Sequence, residues 1–434
     1  MNTIIIKRYL FVVLFVFVFS YLLQSFIIPF NDNWIPLQLS TLLVAIFGIT
    51  NGLSNLNMGR VIKITICCQI INHILLLSST MPTMSGDGEN YIYVVRKIAV
   101  YSNLFDGFKA FLRGISGSYY YELSDLGYVS ILSTLYYVFG ESLGNFMDII
   151  LKLCAHTATV YYVYKIFTRY IEHEECNDNG LVAGLVFGVS VFPAYYTFGI
   201  LKESYFTFAV VLSVYWMYKL IDQISVKNLL AFVLCVFWTY TFRGIMPLYF
   251  VVAYMMYIYL KNKKAIQVQV VVLTMFFLSV VSMSFLVSIL PQLETSFDAR
   301  SEKYDASMVG MIMNITGPFL SPIPAINKYN VNSNLCVYSY SVINLSFAYF
   351  ALLGIFNVLK NGIIKMYPIL FVLLLNSIMV ILTGYAINAR YTYIVAPLYY
   401  SFIPFGFKYY KNIHMIVFVI GILWLTYTYN ARLQ

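Results

Sequence analysis

Leu126-Gly-Tyr-Val-Ser-Ile-Leu-Ser-Thr-Leu-Tyr-Tyr-Val-Phe139 decides how the rest of the chain is laid out. It is apolar, but its about 14 residues fall short of the roughly 20 that a helix needs to cross a bilayer. If it crosses, everything downstream is inverted and Lys261, Lys263 and Lys264 face the exterior. If it is a re-entrant or interfacial segment, those lysines stay inside. The second reading agrees with the excess of Lys and Arg in cytoplasmic loops, and it is the one adopted.

Working outward, the 434 residues are 61% hydrophobic and 10% charged, with a mean hydropathy of +0.78. Soluble domains carry about 25% charged residues, so a soluble protein is excluded. Recurrent apolar runs predict an all-α, polytopic membrane protein of about 12–14 spans, forming one integral membrane domain over 1–434. Leu10 to Ile28 reads as a retained helix, because it is too long for a secretory signal and lacks its cleavage site. Lys7 and Arg8 place the N-terminus in the cytoplasm.

Spans are expected at about 9–28, 37–53 and 61–80, then a periplasmic loop over 81–145 that includes the short run. Further spans follow at about 146–167, 180–199 and 204–221, a short one ending at Arg243, and others at about 245–260 and 266–290. A second outer loop covers 291–340, and four more spans end near 429. The inner set includes Arg60, Lys63, Lys165, Arg169, Lys219, Lys227, Lys360 and Lys365. In the first outer loop, Tyr91, Val94, Val95, Ile98, Phe105, Phe108 and Leu112 recur at roughly helical spacing with Arg96, Lys97 and Lys109 among them. That pattern predicts amphipathic helices on the outer leaflet.

The net charge of +9 sets orientation and does not indicate nucleic acid. Six cysteines show no metal-ligand spacing and imply no disulfide framework. Asp148 and Lys152, four apart in one span, read as a structural ion pair. His73 and His156 read as packed side chains.

Candidate chemistry gathers at the outer ends of spans. Asp87 and Glu89, in Ser85-Gly-Asp-Gly-Glu-Asn-Tyr91, are flanked by glycines that let the backbone present both to one cavity. A carboxylate can take the proton of an attacking hydroxyl, and Asp125, at the head of the short run, is a third candidate. Lys202, Arg243 and Arg390 stand at the outer mouths of spans. Cations there either hold an anionic substrate, such as an outer-leaflet phosphate, or pair with carboxylates. Glu203, Tyr391 and the outer-loop Arg300 complete the candidate substrate-binding set. No metal ligand set and no cofactor is expected.

The early outer-loop acid, Asp125-Leu-Gly-Tyr128, Pro193…Leu201-Lys202-Glu203 and Arg390-Tyr391…Pro397 together resemble the C-type membrane glycosyltransferases (GT-C). The resemblance runs from roughly 81 to 404. It implies a polyprenyl-phosphate-linked sugar donor used on the extracytoplasmic face, with Asp87 as base and Lys202, Arg243 and Arg390 near the lipid phosphate. Three spans rather than one precede the acid, and no large C-terminal soluble domain follows. The size, aromatic-rich spans, two long outer loops and short inner loops also resemble bacterial O-antigen polymerases. These join undecaprenyl-diphosphate-linked repeat units outside the inner membrane.

Both resemblances imply metal-independent hexosyl transfer from a lipid-linked donor at the periplasmic face of the bacterial inner membrane, in surface polysaccharide (lipopolysaccharide) assembly. Repeat-unit polymerisation is the first expectation and single-sugar transfer the second. A flippase for lipid-linked oligosaccharide is the third. The partners implied are the undecaprenyl-linked sugar, membrane lipid and other polysaccharide-assembly proteins, with no nucleic acid.

Overall fold

The computed structural model describes residues 11, 12, 15, 35–78, 86–100, 103–115, 125–171, 179–261, 316–320, 338–382, 389–407 and 409–431. The expected spans at 9–28 and 266–290, nearly all of the loop 291–340 and Arg300 lie outside these residues, apart from isolated positions. Among the described residues there is no strand. The helices are α1 (Ile35–Ser54), α2 (Met58–Leu77), α3 (Gly86–Ala99), α4 (Leu104–Ile115), α5 (Leu126–Ile166), α6 (Asn179–Gly188), α7 (Phe192–Phe198) and α8 (Glu203–Asp222). They continue as α9 (Val226–Tyr240), α10 (Met246–Lys261), α11 (Tyr338–Lys360), α12 (Tyr367–Leu382), α13 (Ala389–Tyr393), α14 (Ala396–Tyr400), α15 (Ile403–Phe407) and α16 (Asn412–Ala431).

Among the described residues, five stretches are helical, long and apolar enough to cross a membrane: Leu37–Ser54, Met58–Leu77, Glu203–Asp222, Ser339–Lys360 and Ile364–Ile381. Shorter apolar helices occupy Val226–Tyr240, Met246–Lys261 and Asn412–Leu425. The protein is a helical membrane protein. Helices α2 and α9 start where the sequence supplies caps: the Asn57 side chain accepts from the Arg60 amide (2.9 Å), and Ser225 Oγ from the Asn228 amide (3.2 Å).

The short run is the first limb of α5. At Gly140 the backbone takes φ 74° and ψ 171°, a conformation open to glycine because it has no Cβ. Beyond it the helix folds back. Tyr136 donates to Asn145 Oδ1 (2.7 Å) and Tyr128 to Asp148 Oδ2 (3.1 Å), each pair joining one limb to the other across the bend. A straight helix would hold Tyr128 and Asp148 about 30 Å apart, so α5 is an antiparallel hairpin.

The expected continuous span at 180–199 is broken. Helix α6 stops at Gly188, α7 begins at Phe192, and Pro193 sits in the first turn of the new helix, where its missing N–H costs nothing. Backbone left unpaired inside a membrane protein must find partners within the protein. Gln69 Nε2 supplies them, donating to the carbonyls of Gly188 (2.8 Å) and Ser190 (2.7 Å), while Ser190 Oγ accepts from the Phe192 amide (3.2 Å).

Helix α8 gives the molecule its two ends, about 28 Å apart at 1.5 Å per residue. Near its C-terminus, Tyr218 donates to the Lys365 carbonyl (2.6 Å) and Arg169 Nη1 lies 3.4 Å from Tyr215 Oη, which gathers Arg169, Lys219 and Lys365 there. The second limb of α5 runs antiparallel to α2: Gln69 and His156 both reach the Gly188 carbonyl, and one turn further on His73 lies in the field of Lys152. Arg60 and Lys63 therefore share an end with Lys165 and Arg169. At the opposite end, around Lys202 and Glu203, acids and bases meet.

Candidate functional site

Four backbone junctions assemble that end. Asp125 occupies the N-cap position of α5, where an aspartate ordinarily caps its own helix. Here its carboxylate makes no capping bond. Oδ1 instead accepts from Lys202 Nζ (2.5 Å) and from Tyr91 Oη (2.8 Å). A cap worth about 1 kcal/mol is forgone, so the local rule yields to the site.

The head of α5 is docked onto the turn between α9 and α10. The Gly127 amide donates to the Thr241 carbonyl (3.0 Å), and a Cβ on Gly127 would stand 2.3 Å from Thr241 Oγ1. Arg243 is thereby brought beside Asp125-Leu-Gly127.

The turn before α8 carries Lys202 and Glu203. Ile200 there has φ 52°, a left-handed conformation that costs a β-branched residue about 1–3 kcal/mol. Helix α3 packs on this strained turn so tightly that a Cβ on Gly88 would stand 2.2 Å from the Gly199 carbonyl oxygen. Glu203 is 1% exposed and takes the Nε of Arg390, from α13, on Oε1. Glu203 Oε2 is buried with no hydrogen-bond partner among the described residues.

Arg243 makes no side-chain hydrogen bond among the described residues. Its guanidinium lies 4.3 Å from the centre of the Tyr391 ring and 5.6 Å from that of Phe206. Such cation–π contacts orient the charge without neutralising it. The three cations Lys202, Arg243 and Arg390 face two carboxylates, Asp125 and Glu203. The described cluster therefore carries one excess positive charge, placed at the N-terminal end of α8, where the helix dipole also favours an anion.

Burial works against these charges. It lowers the Lys202 pKa, opposed chiefly by Asp125, and lowers that of Arg243, opposed chiefly by Tyr391. Burial, then Asp125, raises the Tyr91 phenol well above its ordinary value, so it stays a donor.

A second polar group lies deeper. Asp148 and Lys152, expected as an ion pair, meet at 2.6 Å and are both buried. Tyr128 Oη and Tyr205 Oη donate to Asp148 (3.1 and 2.9 Å), and Lys152 Nζ donates to Tyr128 Oη (2.9 Å). The edge of Tyr91 rests on Tyr128, with ring centres 5.0 Å apart, which ties this network to the Asp125 site.

Asp125, Lys202, Glu203, Arg243, Arg390 and Tyr391 thus converge at one end of the bundle. Lys202 and Arg390 are each paired with a carboxylate. Glu89 is exposed on α3. Asp87 lies in the first turn of α3, one residue from the Gly88–Gly199 contact, and its side chain is outside the described residues. No group of three or more His, Cys, Asp or Glu side chains that could hold a metal ion occurs among the described residues. Tyr91, Gly127, Thr241 and Phe206 are site residues that sequence reading passed over. Tyr91 sat in view as the first apolar position of the outer-loop helix, where helical spacing marked it as packing.

No protein-family model matches the chain, and no curated protein does.

Proposed function

We propose that the protein is a membrane glycosyltransferase that takes its sugar from an undecaprenyl-phosphate- or -diphosphate-linked donor at the outer face of the bacterial inner membrane. The first expectation is O-antigen repeat-unit polymerisation. The observation that carries this reading is Arg243. Its guanidinium is held against the Tyr391 ring with no carboxylate hydrogen-bonded to it among the described residues, inside a cluster of net positive charge. A planar guanidinium offers paired donors that match phosphate oxygens.

In the reaction, an acceptor hydroxyl attacks the anomeric carbon and the bond from that carbon to the phosphate oxygen breaks. The lipid (di)phosphate leaves with the electron pair. Arg243, with Arg390 and Lys202 beside it, stabilises the charge that develops on the leaving oxygen. Such preorganised electrostatics are usually the largest catalytic contribution. The hydroxyl proton passes to a carboxylate, for which sequence reasoning puts Asp87 first.

Single-sugar transfer uses the same groups and differs in product. The transport reading leans on Asp148, Lys152 and His156, and the structure engages these in internal contacts: the Asp148–Lys152–Tyr128–Tyr205 network, and His156 Nε2 at 3.3 Å from the Gly188 carbonyl.

The test is Arg243→Ala in the full-length protein, read as chain length of the surface polysaccharide. Extension falls by about 100-fold or more, the size expected when one transition-state donor is lost, while the variant still inserts. Chains of wild-type length would count decisively against phosphate binding at this site.

A further inference from the structure

We propose that Asp125 is the group that accepts the proton of the attacking hydroxyl, and that Tyr91 positions it; this rests on the glycosyl-transfer reading above. One oxygen of the carboxylate is fully engaged: Oδ1 takes both Lys202 Nζ at 2.5 Å and Tyr91 Oη at 2.8 Å. The other oxygen, Oδ2, accepts no hydrogen bond among the described residues and is not among the buried unpartnered atoms. The Asp125 side chain keeps 21% of its surface exposed, against 2% for Glu203. It therefore presents a fixed, reachable oxygen, whereas Glu203 forms the floor beneath Arg390.

The backbone supports the same assignment. Asp125 gives up the capping bond of its own helix, and the Gly127–Thr241 hydrogen bond holds it beside the turn that carries Arg243. Glu89 has no comparable anchor, being exposed on α3.

The step balances without a further reactant. The acceptor oxygen forms the new bond to the anomeric carbon, the sugar–phosphate bond breaks, the phosphate carries away the electron pair, and the proton moves to Oδ2. Lys202 and Tyr91 hold the carboxylate through Oδ1 and leave Oδ2 aimed at the acceptor. Tyr91 is a positioning residue, fixed in turn by its edge contact with Tyr128.

The experiment uses the full-length protein in proteoliposomes with an undecaprenyl-diphosphate-linked oligosaccharide as donor and acceptor. Asp125→Ala lowers extension by about 100-fold or more, the usual scale of general-base catalysis. Sodium formate, a small carboxylate that fits the vacated space beside Lys202, restores about tenfold of that loss, and binding of undecaprenyl diphosphate stays within about threefold of wild type. Tyr91→Phe keeps the ring contact, and it lowers kcat by about tenfold with donor KM unchanged.

Asp125→Ala retaining more than about a tenth of wild-type extension overturns the proposal, as does formate rescuing Asp87→Ala instead. An unchanged kcat in Tyr91→Phe overturns the positioning role. A wild-type protein that extends no donor would remove the glycosyl-transfer reading and this inference together. Extension by wild type and Asp125→Ala alike would remove only the inference.

Discussion

At Arg243 a single side chain carries opposing demands. Burial disfavours its charge, the Tyr391 ring and then Glu203 oppose that, and its hydrogen-bond donors are uncommitted among the described residues. Shape should therefore matter as much as charge. Arg243→Lys, which keeps the charge and loses the planar fork, should retain less than about a tenth of wild-type chain extension. Near-wild-type activity would reduce the site to a point charge.

The deeper ion pair behaves differently. Asp148→Asn strands the ammonium of Lys152, itself 1% exposed, and should cost about 3–5 kcal/mol. Replacing both members together, as Asp148→Leu with Lys152→Met, should cost far less in thermal unfolding of the detergent-solubilised protein. Equal losses from the single and double variants would contradict a paired role.

These charged residues were legible in the sequence because a Lys, Arg or Asp in an apolar setting stands out. Tyr91 was not: it is one of forty tyrosines, and nothing but the folded distance to Asp125 separates it from the others. Whether Lys202 and Arg390 would pair with carboxylates or stay open was also undecidable from order alone, since Lys202 and Asp125 are 77 residues apart and Arg390 and Glu203 are 187.

Among the elements, the hairpin of α5 was half visible. Length alone marked 126–139 as too short to cross, but the return about Gly140 depends on a positive φ that sequence does not announce. The break between α6 and α7 was missed because Leu181-Val-Ala-Gly-Leu-Val-Phe-Gly-Val189 reads as an unbroken apolar run. Pro193 was the available signal, since a proline there fits the start of a new helix better than the middle of an old one.

What holds the break is Gln69, fully buried on α2. Gln69→Leu keeps the bulk, removes the side-chain donor from the buried Ser190 carbonyl and leaves the Gly188 carbonyl to His156 alone, at about 1–3 kcal/mol for an unsatisfied group. A clear fall in the thermal midpoint, with less helix retained near it, is expected. An unchanged midpoint would mean that other partners satisfy Gly188 and Ser190.

Over the whole molecule, α8 separates two kinds of charge. Arg60, Lys63, Lys165, Arg169, Lys219 and Lys365 collect at one end, as sequence reasoning assigned them to one side of the membrane. Asp125, Lys202, Glu203, Arg243 and Arg390 collect at the other. Overall class and charge sorting were therefore readable from composition and loop charge, whereas the way one site draws on α3, α5, α8, the α9–α10 turn and α13 was not.

Single cysteines at two exposed positions test the orientation. In a cysteine-free background, a cysteine at Ile224 (83% exposed, beyond α8) should react with an impermeant maleimide only from the cytoplasmic side. One at Val100 (85% exposed, at the end of α3) should react only from outside. Labelling of both from the same side would contradict the layout, and labelling with the two sides exchanged would invert it.

The most direct measurement incubates the purified full-length protein, in proteoliposomes, with one undecaprenyl-diphosphate-linked repeat unit and resolves the products by size. A ladder of lengthening oligosaccharides that disappears in Arg243→Ala is the predicted result. A donor left at one unit while wild-type protein merely carries it from one leaflet to the other would contradict glycosyl transfer and favour transport.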